Sequence, residues 1–225
     1  MEPNPKYAER LQQMHRLIDE IGVMTLKGYR HAQESVQAND GEKILQLPFD
    51  DDWLQKQTSE LDNTVIATIA LFGEHGADLR RLVVYSKIAH ALRKLGEGCL
   101  KFSKKIAAHL LPEFEATQTF ADLNSLMEHT VRAIEKAMET TSADEETYNF
   151  EEALKQVLAE ESQTDELFDK VHQDIILDNY KEDRYVRASI DIFNAIRRLE
   201  RAADNAADIA HFMIYVKKGG RIEVS

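Results

Sequence analysis

The chain has 225 residues, 43% hydrophobic and 30% charged, with nine Gly, four Pro and a single Cys. Such a chain can bury a sizeable core in one larger domain or two small ones, and the lone Cys99 excludes an internal disulfide framework and suits a reducing compartment. A net charge of −12 excludes nucleic acid and anionic membrane as natural ligands, because both repel an acidic surface.

The expected elements are long helices between sparse breakers. After Pro3 and Pro5, the apolar positions Leu11, Met14, Leu17, Ile18, Ile21, Met24 and Leu26 recur at helical spacing for about thirty residues. Gly22 and Gly28 lie inside that helix, where glycine costs about 1 kcal/mol unless a close crossing needs it. The helix ends in the turn composition Gln37-Ala38-Asn39-Asp40-Gly41. Past Pro48, the acidic turn Asp50 to Asp52 suits a helix N-terminus, and the second helix runs to about Phe72. Asp78 is expected to cap a third helix that runs to about Leu111 and stops at Pro112. The plan then repeats: Phe120 to about Thr140, Phe150 to about Leu177, and Asp183 to Lys218, closed by Gly219-Gly220.

Strand-like alternation is almost lacking, so the fold is all-α: six long helices in two tandem three-helix bundles, residues 1–112 and 113–225. The charge divides along the same line. The first half carries 15 basic and 15 acidic side chains, whereas the second carries 13 and 25, so the entire −12 belongs to the second half. A bound cation would relieve it. MEPNPKYAER does not read as a signal peptide and the apolar run Val65 to Phe72 is too short to span a bilayer. The expectation is a cytoplasmic protein without membrane insertion.

Two helices carry one pattern. Glu200, Asp204, Asp208 and His211 are separated by four, four and three residues, and so are Glu161, Asp165, Asp169 and His172. Each set stacks on nearly one helix face, at a cost in like-charge repulsion. In an antiparallel hairpin, Glu161 is expected level with Asp208, Asp165 with Asp204 and Asp169 with Glu200. Those numbers sum to 369, which centres the turn near residue 184, in the polar segment Tyr180 to Tyr185. Facing ladders of oxygen and nitrogen ligands are what a metal site on a helical bundle requires. A solvated acidic face with chance spacing is the alternative.

Matching Leu92 with Leu199 lays the third helix over the last. Arg93 then stands where Glu200 is, Glu97 where Asp204 is, and Lys101 where Asp208 is. Likewise Lys56 takes the Glu161 position and Glu60 the Asp165 position. Each first-half ladder keeps a central carboxylate and exchanges an outer one for a cation, which predicts one metal site in the second half and none in the first.

The segments Ala77 to Glu97 and Ala188 to Gly219, with their E/D-x-x-x-D spacing, resemble the PhoU-like phosphate regulators. That resemblance implies two three-helix bundles in tandem and a cytoplasmic accessory protein, not an enzyme. It also implies a phosphate transporter, a sensor histidine kinase, or both, as partners. Members of the family bind iron, zinc or another divalent metal through the motif carboxylates. Carried over, Glu200 and Asp204 fill the motif on the last helix, and Glu161 and Asp165 fill it on the middle helix. Asp208, Asp169, His172 and His211 extend the ladders by spacing, and oxygen ligands with one or two imidazoles suit a divalent or trivalent ion among Fe, Zn, Mn and Mg. First-repeat Arg93 and Lys56 replace the motif's first acid.

Two other readings compete. The spacings Asp169-x-x-His172 and Asp208-x-x-His211 are similar to the Glu-x-x-His pattern of carboxylate-bridged di-metal oxidases, which would make the chain an enzyme. A metal-free adaptor would dock its acidic half on a basic partner. Long apolar faces are also compatible with a homodimer. Cys99 reads as a small buried apolar residue. Lys101, Lys104 and Lys105 read as a solvated helix face, with contact to a partner or phosphate as the alternative. His90 and His129 have no context that singles them out.

Overall fold

The computed structural model describes residues 5–73, 77–143, 147–179 and 186–219. It contains α1 (Pro5–Gln37), α2 (Asp51–Phe72), α3 (Ala77–Ile106), the short α4 (Pro112–Glu115), α5 (Gln118–Ser142), α6 (Phe150–Asn179) and α7 (Val186–Lys218). No strand occurs among the described residues. The six long helices match the expected ones, and their ends follow from local chemistry. Asp50 Oδ1 accepts from Trp53 N at 2.8 Å to start α2, and Thr117 Oγ1 accepts from Phe120 N at 3.1 Å to start α5. Gly219, at φ 72°, stops α7 as its N–H donates to Tyr215 O at 3.0 Å.

Two local expectations are corrected. Asp78 lies inside the first turn of α3, where it faces the helix dipole favourably but is not the cap residue. Pro112 does not stop α3, which ends at Ile106 and passes through a 3-10 turn at Ala107–His109. Pro112 instead opens α4, at a position where its missing N–H has no partner to lose.

Helices α1, α2 and α3 pack on one another, as do α5, α6 and α7. The two sets join mainly along α3 and α7, with a second contact between α1 and α5. Helices α3 and α7 run antiparallel: Lys105 Nζ reaches Asp191 Oδ1 at 3.1 Å near one end, Lys87 lies over the Phe212 ring at 5.6 Å, and Arg80 over Tyr215 at 5.7 Å near the other. One apolar core runs through both sets, from Met14, Ile18 and Ile21 through Leu92, Leu95 and Phe102 to Ile134, Leu199 and Ala203. The interior glycines serve close crossings. A Cβ at Gly22 would lie 2.1 Å from Met138 Cε, and one at Gly28 2.5 Å from Phe49 Cε1. Among the described residues, no helix is long and apolar enough to cross a membrane.

Candidate metal centre

Small residues on α7 set the site. Ala202, Ala203, Ala206, Ala207 and Ala210 are buried, so α7 sits deep between its neighbours and its carboxylates emerge along one edge toward α6. There one ligand atom each from Glu161, Asp165 and Asp204 lie within 4.8 Å of one another. Glu161 and Asp204 are half-buried and Asp165 is exposed. No other such cluster occurs among the described residues.

Glu200 stands beside this triad. Its Oε2 is shielded from solvent and has no hydrogen-bond partner. Burial, then the charges of Asp204 and Asp165, push the Glu200 carboxyl up to about 7, against partial relief from Arg201 and Arg197. Burial, then Asp165 and Asp208, raise Asp204 to about 6. Glu161 is raised by burial and then by Asp165 and Asp204; Asp165 is raised by burial and then by Asp169. Among the described residues, no Lys or Arg forms an ion pair with Glu161, Asp165 or Glu200. These oxygen donors are drawn together and repel one another, and the charges of Arg201 and Arg197 offset that repulsion only in part. The residues present fit a metal ion, with Glu161, Asp165 and Asp204 as its holders and Glu200 Oε2 as a further donor.

The expected ladder pairing is corrected by one turn. Glu161 lies beside Asp204 and Asp165 near Glu200, two pairs whose numbers each sum to 365. The expected turn segment Tyr180 to Tyr185 lies outside the described residues. In this register Glu161 acts on Asp204, and Asp165 on both Glu200 and Asp204. Asp165 with Asp204 is the expected pair that survives. Asp169 is exposed and acts on Asp165, while Asp208 acts on Asp204; neither joins the triad. The His172 ring packs on Phe193 at 4.7 Å and on Phe168 at 6.2 Å, so it belongs to an aromatic stack. His211 is half-buried on α7 and also stands outside the triad.

The first half behaves as its cations require. Glu97 Oε1 accepts from Arg93 Nε at 2.9 Å and Glu97 Oε2 from Lys101 Nζ at 2.8 Å, and these contacts, Lys101 foremost, hold its carboxyl below the usual range. Glu60 makes no corresponding ion pair with Lys56 among the described residues. Sequence reasoning missed one paired histidine, His129, whose Nδ1 lies 2.6 Å from Glu160 Oε2 across α5 and α6. Nothing in the spacing of two separate helices signals that contact. Cys99 is fully buried, which pushes its thiol far up, as a packing residue would be. A surface hollow of about 1470 Å³ is lined by residues between Ala38 and Trp53 and between Leu100 and Leu111 and touches none of the carboxylate cluster.

Residues 123–213 match the PhoU domain family, a span that contains all eight carboxylates and histidines of the two ladders. Two curated relatives are similar along most of the chain. The phosphate-specific transport system accessory protein PhoU homolog 2 of Thermotoga maritima is 18% identical over 94% of this chain and 87% of its own length. The PhoU homolog of Pseudomonas aeruginosa is 21% identical over 75% of this chain and 67% of its own. The solved structure of PhoU from Pseudomonas aeruginosa superposes with a TM-score of 0.83 at 19% identity, covering 95% of this chain and all of that one. The phosphate transport system regulatory protein PhoU from Streptococcus pneumoniae gives 0.81 at 17% identity, covering 97% of this chain and all of that one. Residues 123–213 are thus similar to the PhoU domain, and the fold of the two solved PhoU structures runs along nearly the whole chain.

Proposed function

We propose that this chain is a cytoplasmic regulator of phosphate uptake and phosphate-starvation signalling, acting through a phosphate transporter, a sensor histidine kinase, or both. Its repeats are residues 1–112 and 113–225, and a carboxylate-held Fe, Zn, Mn or Mg ion sits in the second. One observation carries the metal: Glu161, Asp165 and Asp204 converge within 4.8 Å beside the unpartnered Glu200 Oε2, inside the PhoU domain. The relatives' names as transport accessory proteins support the regulatory role over an enzymatic one.

A bound cation supplies positive charge between α6 and α7. The chain's own residues do the rest. Asp204, half-buried, fixes the α7 side of the site, and Glu161 and Asp165, four residues apart on α6, close it from the other. Clamping the two helices sets the outer surface that a partner reads, and Asp169 and Asp208 extend its acidic edge. The oxidase reading loses its main support, since His172 and His211 stay outside the cluster and Asp165 is open to solvent. The adaptor reading keeps one observation, the −12 charge concentrated in the second half.

The test combines metal content by mass spectrometry with phosphate uptake in a host lacking its own regulator. The parent should carry ion and restrain uptake, and a Glu161→Gln, Asp204→Asn variant should lose both. An ion-free parent after supplementation with iron, zinc and manganese would overturn the metal centre. Unrestrained uptake with metal-loaded parent would overturn the regulator.

A further inference from the structure

The seam between the two helix sets holds a second constellation. Gly98 on α3 faces the α7 backbone at Arg198, a Cβ there lying 3.9 Å from Arg198 O, and the buried Ala202 is one turn further along. Small residues on both helices leave a cavity of about 320 Å³, within the range of small-molecule sites (about 300–1,000 Å³). Its walls carry Lys94 and Lys101, one turn to either side of Gly98, and Arg198 and Arg201 on α7. Lys94, Lys101 and Arg201 are exposed, while Arg198 is half-buried and lies close enough to act on the buried Tyr29 hydroxyl.

We infer that this α3–α7 seam is a binding site for a small tetrahedral oxyanion, with inorganic phosphate as its natural occupant. Three carboxylates line the same cavity, and two of them have an answer. Glu97 is held by Arg93 and Lys101. Asp204 belongs to the candidate metal centre, whose cation would offset it. Asp208 is half-buried at the cavity wall and acts on Asp204. Lys94, Arg198 and Arg201 form no ion pair among the described residues, so their donors are available to an anion. Two guanidinium groups offer planar forks to pairs of phosphate oxygens, and the Lys94 ammonium acts as a point charge. Asp204 lines the seam and also forms the carboxylate triad, so anion and cation sites share one side chain. Binding at either then favours the other by the same factor. The choice of phosphate over other oxyanions rests on the regulator reading; the seam itself rests on its own residues.

Calorimetric titration of the full chain with inorganic phosphate tests this, on chelator-treated and manganese-loaded samples, with chloride and sulfate as competitors. Phosphate should bind in competition with sulfate and not chloride, and Lys94→Gln, Arg201→Gln should weaken it at least tenfold while Lys155→Gln leaves it unchanged. Circular dichroism of each variant should match the parent. No phosphate heat in either sample, or full binding in the seam variant, would overturn the site. Metal content on the same samples keeps the readings separate: an ion-free protein that still loses phosphate binding in the seam variant supports the oxyanion site while it removes the metal centre.

Discussion

The raised carboxyls at the α6–α7 edge make a signed prediction for Glu200→Gln. In the metal-free protein, Glu200 titrates at about 7 instead of 4.5. A carboxyl raised on folding stabilises the folded state when protonated. Its contribution is complete below about pH 4.5 and is lost as pH climbs through about 7. One unit is worth about 1.4 kcal/mol, so the rise from 4.5 to about 7 sets a ceiling of about 3.5 kcal/mol. More than a third of the side chain is solvated, and screening reduces the figure to about 1–2 kcal/mol. Asp204 adds loss of the same sign between pH 3.8 and about 6. The metal-free parent should therefore lose stability from pH 5 to 8, a window in which Glu97 stays ionised. Glu200→Gln removes its share and should melt about 2–8 °C above the parent at pH 8 in chelator, and level with it at pH 5. In saturating manganese the order should reverse at pH 8, because the parent gains a ligand-bound state that the variant holds poorly. Differential scanning fluorimetry reads both arms. A parent curve with no pH dependence in chelator, or a variant that melts below the parent there, would refute the reasoning.

Elsewhere the consequences are mechanical. Gly28→Ala drives a Cβ to 2.5 Å from Phe49 Cε1 and 3.3 Å from Cys99 Sγ, and should cost about 1–3 kcal/mol in denaturant unfolding with metal content unchanged. Lys170→Met strands Asp122, which is buried and accepts from Lys170 at 2.8 Å and from Gln118 at 3.0 Å. A lower urea midpoint is expected, recovered in Asp122→Asn, Lys170→Met.

The helices were legible because the period is strong and the breakers are few. The ladders were legible because a helix converts spacing into a face. The failures have equally physical origins. The one-turn slip in the α6–α7 pairing arose because helix spacing fixes which face a residue shares but not the register against a second helix. The four-residue α4 carries no periodicity to read. His172 was assigned to the ladder on spacing alone, yet its helix neighbour Phe168 and the distant Phe193 claim its ring. Of the seam's cations the sequence singled out only Lys101, in its cluster with Lys104 and Lys105, because the shared cavity depends on the antiparallel α3–α7 contact.

The two halves answer one electrostatic problem in different ways, and exchanging the answers is the strongest test of the scheme. At Glu97 the first half uses Arg93 and Lys101, covalently fixed and always present. At the matching Asp204 the second half places Glu200 and Asp208, with Arg201 as a partial offset, and we propose that an exchangeable ion completes the neutralisation. A fixed pair gives constant structure; an exchangeable ion gives a structure that follows its supply. Glu200→Arg, Asp208→Lys rewrites α7 in the pattern of α3, with Asp204 between two cations one turn away on either side. The variant should stay folded in chelator, melt at a temperature independent of added manganese and lose the pH dependence between 5 and 8. It should also hold less metal than the parent by mass spectrometry. A variant that still takes up metal to the parent's level, or still gains stability from manganese, would show that Glu161 and Asp165 bind without the α7 ladder, and the matched-repeat argument would fall.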